Sequence, residues 1–214
     1  MALTLYLVAA AVALLDWVAV ERRLFRLEYV FKPLALGLLV LAAVAADLGP
    51  AHPWIVAGLA FGLLGDIGLM LSKEGEPDLP FLGGLGAFLA GHICYLVGFT
   101  RHGVRGVDLL AGLLIVLGVA GLMLPQVLLG ANRVAGREFA VVVAAYAGVL
   151  SAMTVFAVGT TAIATAIGGV LFLLSDTLIA RERFVRPVPH GPLLSIATYH
   201  AAQFLIVLGL VRSW

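Results

Sequence analysis

Charged residues are scarce in this sequence. Of its 214 residues only 12% are charged, against about a quarter in an ordinary soluble domain, and the mean hydropathy is +1.12. The 13 basic and 12 acidic residues leave a net charge of +1, without the basic excess that nucleic-acid-binding proteins use. These values exclude a soluble fold and a nucleic-acid partner.

Cysteine occurs once, and the common catalytic motifs do not occur. The single Cys94 cannot form an internal disulfide or a cysteine-based metal site. There is no glycine-rich phosphate loop, no paired-histidine zinc motif and no serine nucleophile elbow. We therefore expect no cofactor and no metal, although His92 and His200 beside aspartates are left open as metal ligands.

Long apolar runs fill most of the chain. A helix needs about 20 mostly apolar residues to cross a bilayer, and we find eight such runs, separated by charged residues, proline or glycine. The connections are too short for a soluble domain. We expect an all-α polytopic membrane protein, with residues 1–214 forming one bundle of eight transmembrane helices. The predicted spans are 2–20, 33–48, 53–71, 81–99, 106–124, 138–158, 160–179 and 191–211.

Basic residues lie mostly on one side of this predicted bundle. Three of the 13, Arg101, Arg105 and Arg212, lie on one side, and ten lie on the other. The ten are Arg22, Arg23, Arg26, Lys32, Lys73, Arg133, Arg137, Arg181, Arg183 and Arg186. The positive-inside rule places the ten in the cytoplasm and both termini outside it. We expect an integral protein of a bacterial inner membrane.

Three aspartates lie inside the predicted spans at similar depth. A carboxylate at the bilayer centre costs about 2.5–3.5 kcal/mol on insertion scales, so such residues face the bundle interior and usually have a function. Asp16, Asp66 and Asp176 lie four, five and three residues before the cytoplasmic ends of their predicted spans. For Asp16 a simpler interpretation is that it turns towards the boundary and pairs with Arg22 or Arg23.

Two other spans carry polar side chains that share a helical face. His92 and Tyr95 lie in the fourth span, and Tyr199 and Gln203 lie in the eighth. Because unpaired polar groups are costly in an apolar medium, these four predict a polar seam inside the bundle. For each residue alone, an interhelical hydrogen bond is the simpler explanation. His200 lies about 100° round the helix from Tyr199 and can point elsewhere.

Two segments form a faint internal repeat. Leu63-Leu64-Gly65-Asp66 in the third span parallels Leu173-Leu174-Ser175-Asp176 in the seventh. Four spans separate the two copies, which would make two parallel four-helix halves related by an axis along the membrane normal. Chance similarity among frequent leucine pairs is the alternative.

Several short segments, distributed over nearly the whole chain, occur in the same order as in the members of a known family. They are Lys32-Pro33, Gly62-Leu63-Leu64-Gly65-Asp66, Phe88 to Tyr95 with Phe99, Tyr146 with Met153, Ser175-Asp176, Arg183-Phe184, and Tyr199 with Gln203. In this order the chain resembles the YhhN-like membrane proteins, whose eukaryotic relatives are lysoplasmalogenases. The resemblance implies a membrane hydrolase that cleaves the vinyl ether bond of lysoplasmalogens to a fatty aldehyde and a glycerophospho-ethanolamine or -choline. A lysophospholipid substrate and membrane lipid are then the expected partners.

The acidic residues suit this implied chemistry. A vinyl ether hydrolyses by protonation of its outer alkene carbon, which creates an oxocarbenium-like cation that water attacks, and the hemiacetal then collapses. Two carboxyl groups in different surroundings can supply the proton donor and the anion. Asp66 and Asp176 are the candidate catalytic residues, and which is acid and which is base is left open.

Further candidates would bind the substrate rather than transfer protons. Following the resemblance, they are Lys32, His92, Tyr95, Tyr146, Ser175, Arg183, Tyr199 and Gln203. Lys32 or Arg183 would contact the phosphate in a cavity open to the cytoplasm. Alternatively, Lys32 only marks the cytoplasmic end of the second span under the positive-inside rule. Pro33 would then lie in the first turn of that span, where proline is tolerated.

Two other classes of function compete with hydrolysis. A small-solute or ion-coupled transporter also places acids and histidines within the membrane, but its site would lie near the midplane and open to both faces. A non-catalytic scaffold would use the same polar groups for helix association alone.

Overall fold

Seven helices make up most of the computed structural model, which describes residues 1–72 and 77–213. They are α1 (Ala2–Glu21), α2 (Phe25–Ala45), α3 (His52–Leu71), α4 (Leu79–His102), α5 (Gly106–Gly159), α6 (Ile163–Phe184) and α7 (Gly191–Leu210). A 3-10 turn, Gly49–Ala51, precedes α3. In the described part of the chain, these seven helices are long and apolar enough to cross a membrane. The chain is therefore an integral membrane protein. Lys73, which the sequence analysis used to orient the bundle, lies outside the described residues.

The longest helix contains a break near its middle. At a rise of 1.5 Å per residue, a straight helix of the 54 residues of α5 would measure about 80 Å, well over twice the roughly 30 Å hydrocarbon core. Ala135, with φ −140°, and Gly136, with φ +80° and ψ 179°, leave the helical conformation. Glycine alone adopts this backbone region readily, so Gly136 lets the chain turn at this point. The break falls within the connection predicted between 124 and 138.

The two arms of α5, before and after this break, lie side by side. The backbone N–H of Arg105, which precedes the first arm, donates to the carbonyl of Gly159 at the end of the second, at 2.9 Å. A Cβ atom placed on Gly112 would lie 2.9 Å from the Cα of Val155. The ends of α5 therefore meet, and its arms run antiparallel.

Helices adjacent in sequence pack as antiparallel pairs. α1 packs on α2, α3 on α4, and α6 on both α5 and α7, while α7 also contacts α1 and α2 and so closes the bundle. α3 approaches α4 closely, because a Cβ atom on Gly68 would lie 2.7 Å from the Cα of Gly84. Small residues of this kind let transmembrane helices approach at backbone distance. This packing fixes the depth of the polar residues on α3 relative to those on α4.

The second helix begins earlier than the sequence predicted. α2 starts at Phe25, so Pro33 lies in the helix interior and the expected start at residue 33 is wrong. Pro33 has no N–H and leaves the carbonyl of Tyr29 without its usual helical partner. The turn before the proline is anchored from outside the helix, since the hydroxyl of Tyr29 donates to the carbonyl of Met70 on α3 at 2.6 Å.

Candidate active site

Asp66 and Asp176 line one cavity of about 1050 Å³. Asp66 lies on α3 and Asp176 on α6, so the fold brings together two acids that are 110 residues apart (176 − 66). The wall is mainly apolar towards α5, where Val119, Met123 and Leu150 contribute. Lys32, Tyr146, Ser175, Arg183 and Tyr199 from the predicted set line the same space.

Asp66 is buried beside a cation and a hydroxyl group. Only 2% of its side chain is exposed, and Oδ1 lies 3.6 Å from the Nζ of Lys32 on α2. Its other oxygen, Oδ2, accepts a hydrogen bond from the hydroxyl of Tyr199 on α7 at 3.0 Å. A positive charge and a donor therefore face the two oxygens of this carboxylate, which suits its ionised form.

Asp176 lies in a different environment. Its Oδ2 accepts a hydrogen bond from the hydroxyl of Tyr146 on the second arm of α5 at 2.6 Å. The Nε2 of His92 lies 3.9 Å from the same oxygen, which is too far for a hydrogen bond. Among the ion pairs of the described residues, none joins Asp176 to a lysine or an arginine. The two carboxyl groups therefore differ in their charged neighbours.

Aromatic rings connect the surroundings of the two acids. The ring of His92 packs edge-on against Tyr146 and Phe172, with centroid distances of 5.3 and 4.8 Å. Phe172 in turn packs edge-on against Tyr199 at 5.4 Å. His92 is 1% exposed and does not line the cavity, so it supports this aromatic layer from behind.

Tyr95 and Gln203 also lie behind the cavity. The hydroxyl of Tyr95 donates to the Oε1 of Gln203, and the two residues are 1% and 0% exposed. A Cβ atom on Gly62 would lie 3.0 Å from the Nε2 of Gln203 and 3.2 Å from the hydroxyl oxygen of Tyr199. Tyr95, Gln203 and His92 thus lie one layer behind the residues that line the cavity, and their expected contact with the substrate stays a prediction.

Ser175 and Arg183 are held by neighbours within the cavity wall. The Oγ of Ser175 donates to the carbonyl of Ser195 at 2.9 Å and so joins α6 to α7. The guanidinium carbon of Arg183 lies 3.8 Å above the ring centroid of Phe81, a cation–π contact between α6 and α4. Arg183 thus presents a positioned positive charge to the cavity.

Asp16 does not pair with Arg22 or Arg23 as the simpler interpretation predicted. Its side chain is completely buried, whereas both arginines are exposed. The indole N–H of the next residue, Trp17, donates to the Nδ1 of His200 at 3.1 Å. The first helix is therefore rotated so that Asp16 faces the bundle, and sequence spacing alone does not determine this rotation.

Five polar residues of the cavity wall escaped the sequence analysis. They are Glu28, Ser151, Thr177, Glu182 and Ser195, and all five lie within helices. No motif marks them, because their role depends on which faces of α2, α5, α6 and α7 meet. Within residues 1–72 and 77–213, no group of three or more His, Cys, Asp or Glu side chains is arranged to hold a metal ion.

Known proteins match most of the chain. The YhhN family matches residues 27–210. Lysoplasmalogenase TMEM86A of Bos taurus is 34% identical over 176 residues, covering 77% of this chain and 68% of its own length. Lysoplasmalogenase TMEM86B of Sus scrofa is 32% identical over 149 residues, covering 68% of this chain and 62% of its own length. Lysoplasmalogenase TMEM86A of Homo sapiens is 30% identical over 178 residues, covering 76% of this chain and 68% of its own length. No solved structure matches the chain.

Proposed function

Because this chain belongs to the YhhN family, we propose that it is a membrane hydrolase that cleaves the vinyl ether bond of lysoplasmalogen-like lysophospholipids. Its products would be a fatty aldehyde and a glycerophospho-alcohol. The observation that carries the proposal is the pair Asp66 and Asp176, which line one cavity and of which, among the ion pairs of the described residues, Asp66 alone pairs with a lysine. The names of the relatives support the same activity.

Asp176 is the proposed general acid. Protonation of the outer alkene carbon needs a carboxyl group that carries a proton when the substrate binds. No lysine or arginine forms an ion pair with Asp176 in the described residues, and its neighbours Tyr146 and His92 belong to the aromatic layer. Tyr146 fixes one oxygen of the carboxyl group and leaves the other for the proton that is transferred.

Asp66 is the proposed anion and general base. The ammonium of Lys32 and the hydroxyl of Tyr199 stabilise its ionised form, which can in turn stabilise the oxocarbenium-like cation. The same carboxylate can take a proton from the attacking water. In this arrangement the two acids have separate tasks.

The proton balance of this reaction closes within the two carboxyl groups. Asp176 gives its proton to the alkene carbon, and water adds to the cation while Asp66 takes one of its protons. The resulting hemiacetal breaks its bond to the glycerol oxygen, which receives the proton from Asp66. The hemiacetal hydroxyl returns a proton to Asp176 as the aldehyde forms, so both acids regain their starting states.

The cavity suits an amphiphile. Its volume of about 1050 Å³ lies at the upper end of the roughly 300–1,000 Å³ typical of ligand pockets. The alkenyl chain would lie along the apolar wall formed by α5, and Arg183 would contact the phosphate. When Arg183 binds the phosphate, Lys32 keeps its ion pair with Asp66.

Each arm of α5 is proposed to cross the membrane separately, which would make eight crossings and place both termini outside the cytoplasm. The antiparallel arms support this topology, since the ends of α5 meet at Arg105 and Gly159. The excess of basic residues supports a cytoplasmic opening for the cavity, in a bacterial inner membrane. The predicted division into two four-helix repeats stays a prediction.

Substrate discrimination tests the proposed reaction. We expect the purified full-length protein to release fatty aldehyde from a lysoplasmalogen and to leave the matched ester-linked lysolipid intact, because only the vinyl ether gives a stabilised cation on carbon protonation. Mass spectrometry of the products makes the comparison. Uptake of unchanged lipid into sealed proteoliposomes would instead indicate transport, and cleavage of the ester alone would contradict the proposal.

A second prediction concerns the hydroxyl group of Tyr146, which bonds to the proposed general acid Asp176. Tyr146→Phe deletes the hydrogen bond to Asp176 and keeps the ring that packs on His92. We expect kcat to fall by about 10-fold, the loss of a positioning bond to a reacting group. Steady-state assays measure kcat, with Tyr6→Phe as the control because its hydroxyl donates to the backbone carbonyl of Phe204, away from the cavity. An unchanged kcat would show that Tyr146 does not orient the acid.

A further inference from the structure

His92 on α4 brings two unused ring nitrogens close to the proposed general acid. The side chain is 1% exposed, and neither Nδ1 nor Nε2 has a hydrogen-bond partner among the described residues. The Nε2 atom lies 3.9 Å from the Oδ2 of Asp176, about 1 Å beyond hydrogen-bond distance. A buried polar group without a partner is costly, so the position of His92 next to a reacting carboxyl group indicates a function beyond packing.

The ring of His92 is held in place, whereas Asp176 has room to move. The ring packs edge-on against both Tyr146 and Phe172, and these contacts fix the direction in which Nε2 points. The side chain of Asp176 is 12% exposed and lines the cavity. A shift of its carboxyl group by about 1 Å would close the gap to the roughly 2.7–2.9 Å of a charge-assisted hydrogen bond.

The resting distance fits a neutral histidine beside a protonated carboxyl group. In the proposed mechanism Asp176 carries a proton before the reaction, and its Oδ2 accepts the hydroxyl of Tyr146. A neutral acid attracts an N–H group only weakly, so a close contact is not needed at this stage. When the proton leaves for the alkene carbon, the carboxyl group becomes an anion, whose hydrogen bonds are about twice as strong. Because Oδ2 then accepts, the nitrogen that faces it has to carry a proton.

Among the described residues, the other titratable groups near Asp176 have different tasks. From α5, the hydroxyl of Tyr146 already donates to Oδ2. From α3, Asp66 is itself an acid, and Lys32 of α2 and Tyr199 of α7 face the oxygens of Asp66. A second donor to Asp176 therefore has to come from α4, where His92 lies.

We propose that His92 donates a hydrogen bond from Nε2 to Asp176 as that residue loses its proton, and so stabilises the carboxylate that forms in the transition state. An interaction that strengthens as charge develops is one that raises kcat. His92 keeps its own proton throughout, so the proton balance of the two carboxyl groups is unchanged. When the hemiacetal returns a proton to Asp176, the bond lengthens again. His92 is thus a positioning residue that acts through Asp176.

This inference deepens the proposed function and rests on it for its catalytic meaning, but the hydrogen bond can be measured without turnover. Infrared titration of the purified full-length protein follows the carbonyl band of protonated Asp176, which is identified by subtracting the spectrum of Asp176→Asn. His92→Phe keeps an aromatic ring against Tyr146 and Phe172 and removes both nitrogens. We expect the band to persist to a pH higher by about one to two units, because the ionised form has lost a donor.

Two further variants separate the donor from the ring. His92→Gln loses the ring, but its side-chain amide carries an N–H group at a reach similar to Nε2, so it should return the midpoint towards the wild-type value. His102→Phe makes the same change on the same helix, away from the cavity, and should leave the midpoint unchanged. If the ring serves packing alone, His92→Phe will match the wild type and His92→Gln will be impaired, and that result would overturn the proposal.

The tautomer of His92 provides a test in the unmodified protein. Nitrogen-15 NMR of histidine-labelled protein distinguishes a proton on Nε2 from a proton on Nδ1. His92 is assigned by elimination, from variants of the other four of the five histidines. We expect Nε2 to carry the proton. A proton on Nδ1 alone would leave Nε2 unable to donate and would overturn the proposal, whether or not the His92 variants fold.

Kinetics provide the last test. His92→Phe should lower kcat by about 10- to 100-fold with little change in KM, because the bond forms in the transition state, and His92→Gln should recover part of the loss. An equal kcat in the wild type and His92→Phe would contradict the role of His92. If the protein cleaves no vinyl ether but the infrared shift is present, the proposed function fails and the hydrogen bond stands.

Discussion

Asp176→Asn and Asp66→Asn should each abolish the release of aldehyde from a lysoplasmalogen. Asparagine keeps an oxygen that can accept the hydroxyl of Tyr146 or Tyr199, but it can neither donate a proton to carbon nor stabilise a cation with a full charge. General acid–base steps contribute about 10²- to 10⁴-fold, and we expect losses of at least this size in kcat. Aldehyde formation in detergent or nanodiscs measures both variants.

The matched control for these variants is Asp108→Asn. Asp108 pairs with Arg105 at the first turn of α5, away from the cavity, so its substitution should leave turnover unchanged. Thermal unfolding of all three variants separates loss of chemistry from loss of fold. Full turnover in both Asp66→Asn and Asp176→Asn would refute carboxylate catalysis.

The two acids also predict the form of the pH dependence. The proposed mechanism requires a protonated Asp176 and an ionised Asp66, so kcat should fall at high pH and at low pH and give a bell-shaped profile. The two limbs belong to the pair rather than to either residue, because the carboxyl groups share one cavity.

Gly68→Ala should strongly destabilise the protein, although alanine is normally the better helix former. The added methyl group would lie 2.7 Å from the Cα of Gly84 and 2.8 Å from its nitrogen, and backbone atoms cannot move aside as a flexible side chain can. Overpacking of this kind costs about 1–3 kcal/mol. Because Gly68 lies two residues after Asp66, separation of α3 from α4 should also lower turnover.

Gly83 supplies the control for this substitution. It lies on the facing helix, α4, and a Cβ atom there has no neighbour within 4 Å. Gly83→Ala should leave the free energy of unfolding unchanged or raise it by about 0.5–1 kcal/mol, the usual gain of alanine over glycine in a helix. Thermal or denaturant unfolding in detergent should therefore show a loss of stability for Gly68→Ala and no loss for Gly83→Ala. Equal stability of the two variants would contradict the close packing of α3 on α4.

Sequence patterns predicted the features that depend on composition. Apolar runs separated by charges predicted the helices, since the bilayer requires long apolar segments with internally paired backbones. The high cost of buried carboxylates singled out Asp66 and Asp176, which line one cavity. Both patterns are local, so a single sequence suffices to find them.

Other features depend on how helices rotate and meet, which a single sequence does not specify. Pro33 suggested the start of a helix, but α2 begins at Phe25, and Tyr29 in the turn before the proline donates a hydrogen bond to α3. Tyr95 and Gln203 share a face with residues of the site, yet they bond to each other behind it. Asp16 faces inward because α1 packs on α2 and α7. Each outcome is decided by a neighbouring helix.

The apolar wall contributed by α5 has a consequence for how the rate responds to substrate supply. If the alkenyl chain reaches the wall of Val119, Met123 and Leu150 directly from the bilayer, it exchanges hydrocarbon neighbours for protein ones without passing through water. Occupancy is then set by the mole fraction of substrate in the lipid phase rather than by its amount per volume of buffer. Adding inert phospholipid at constant total substrate should slow turnover by surface dilution, and the released aldehyde should partition into the same lipid phase.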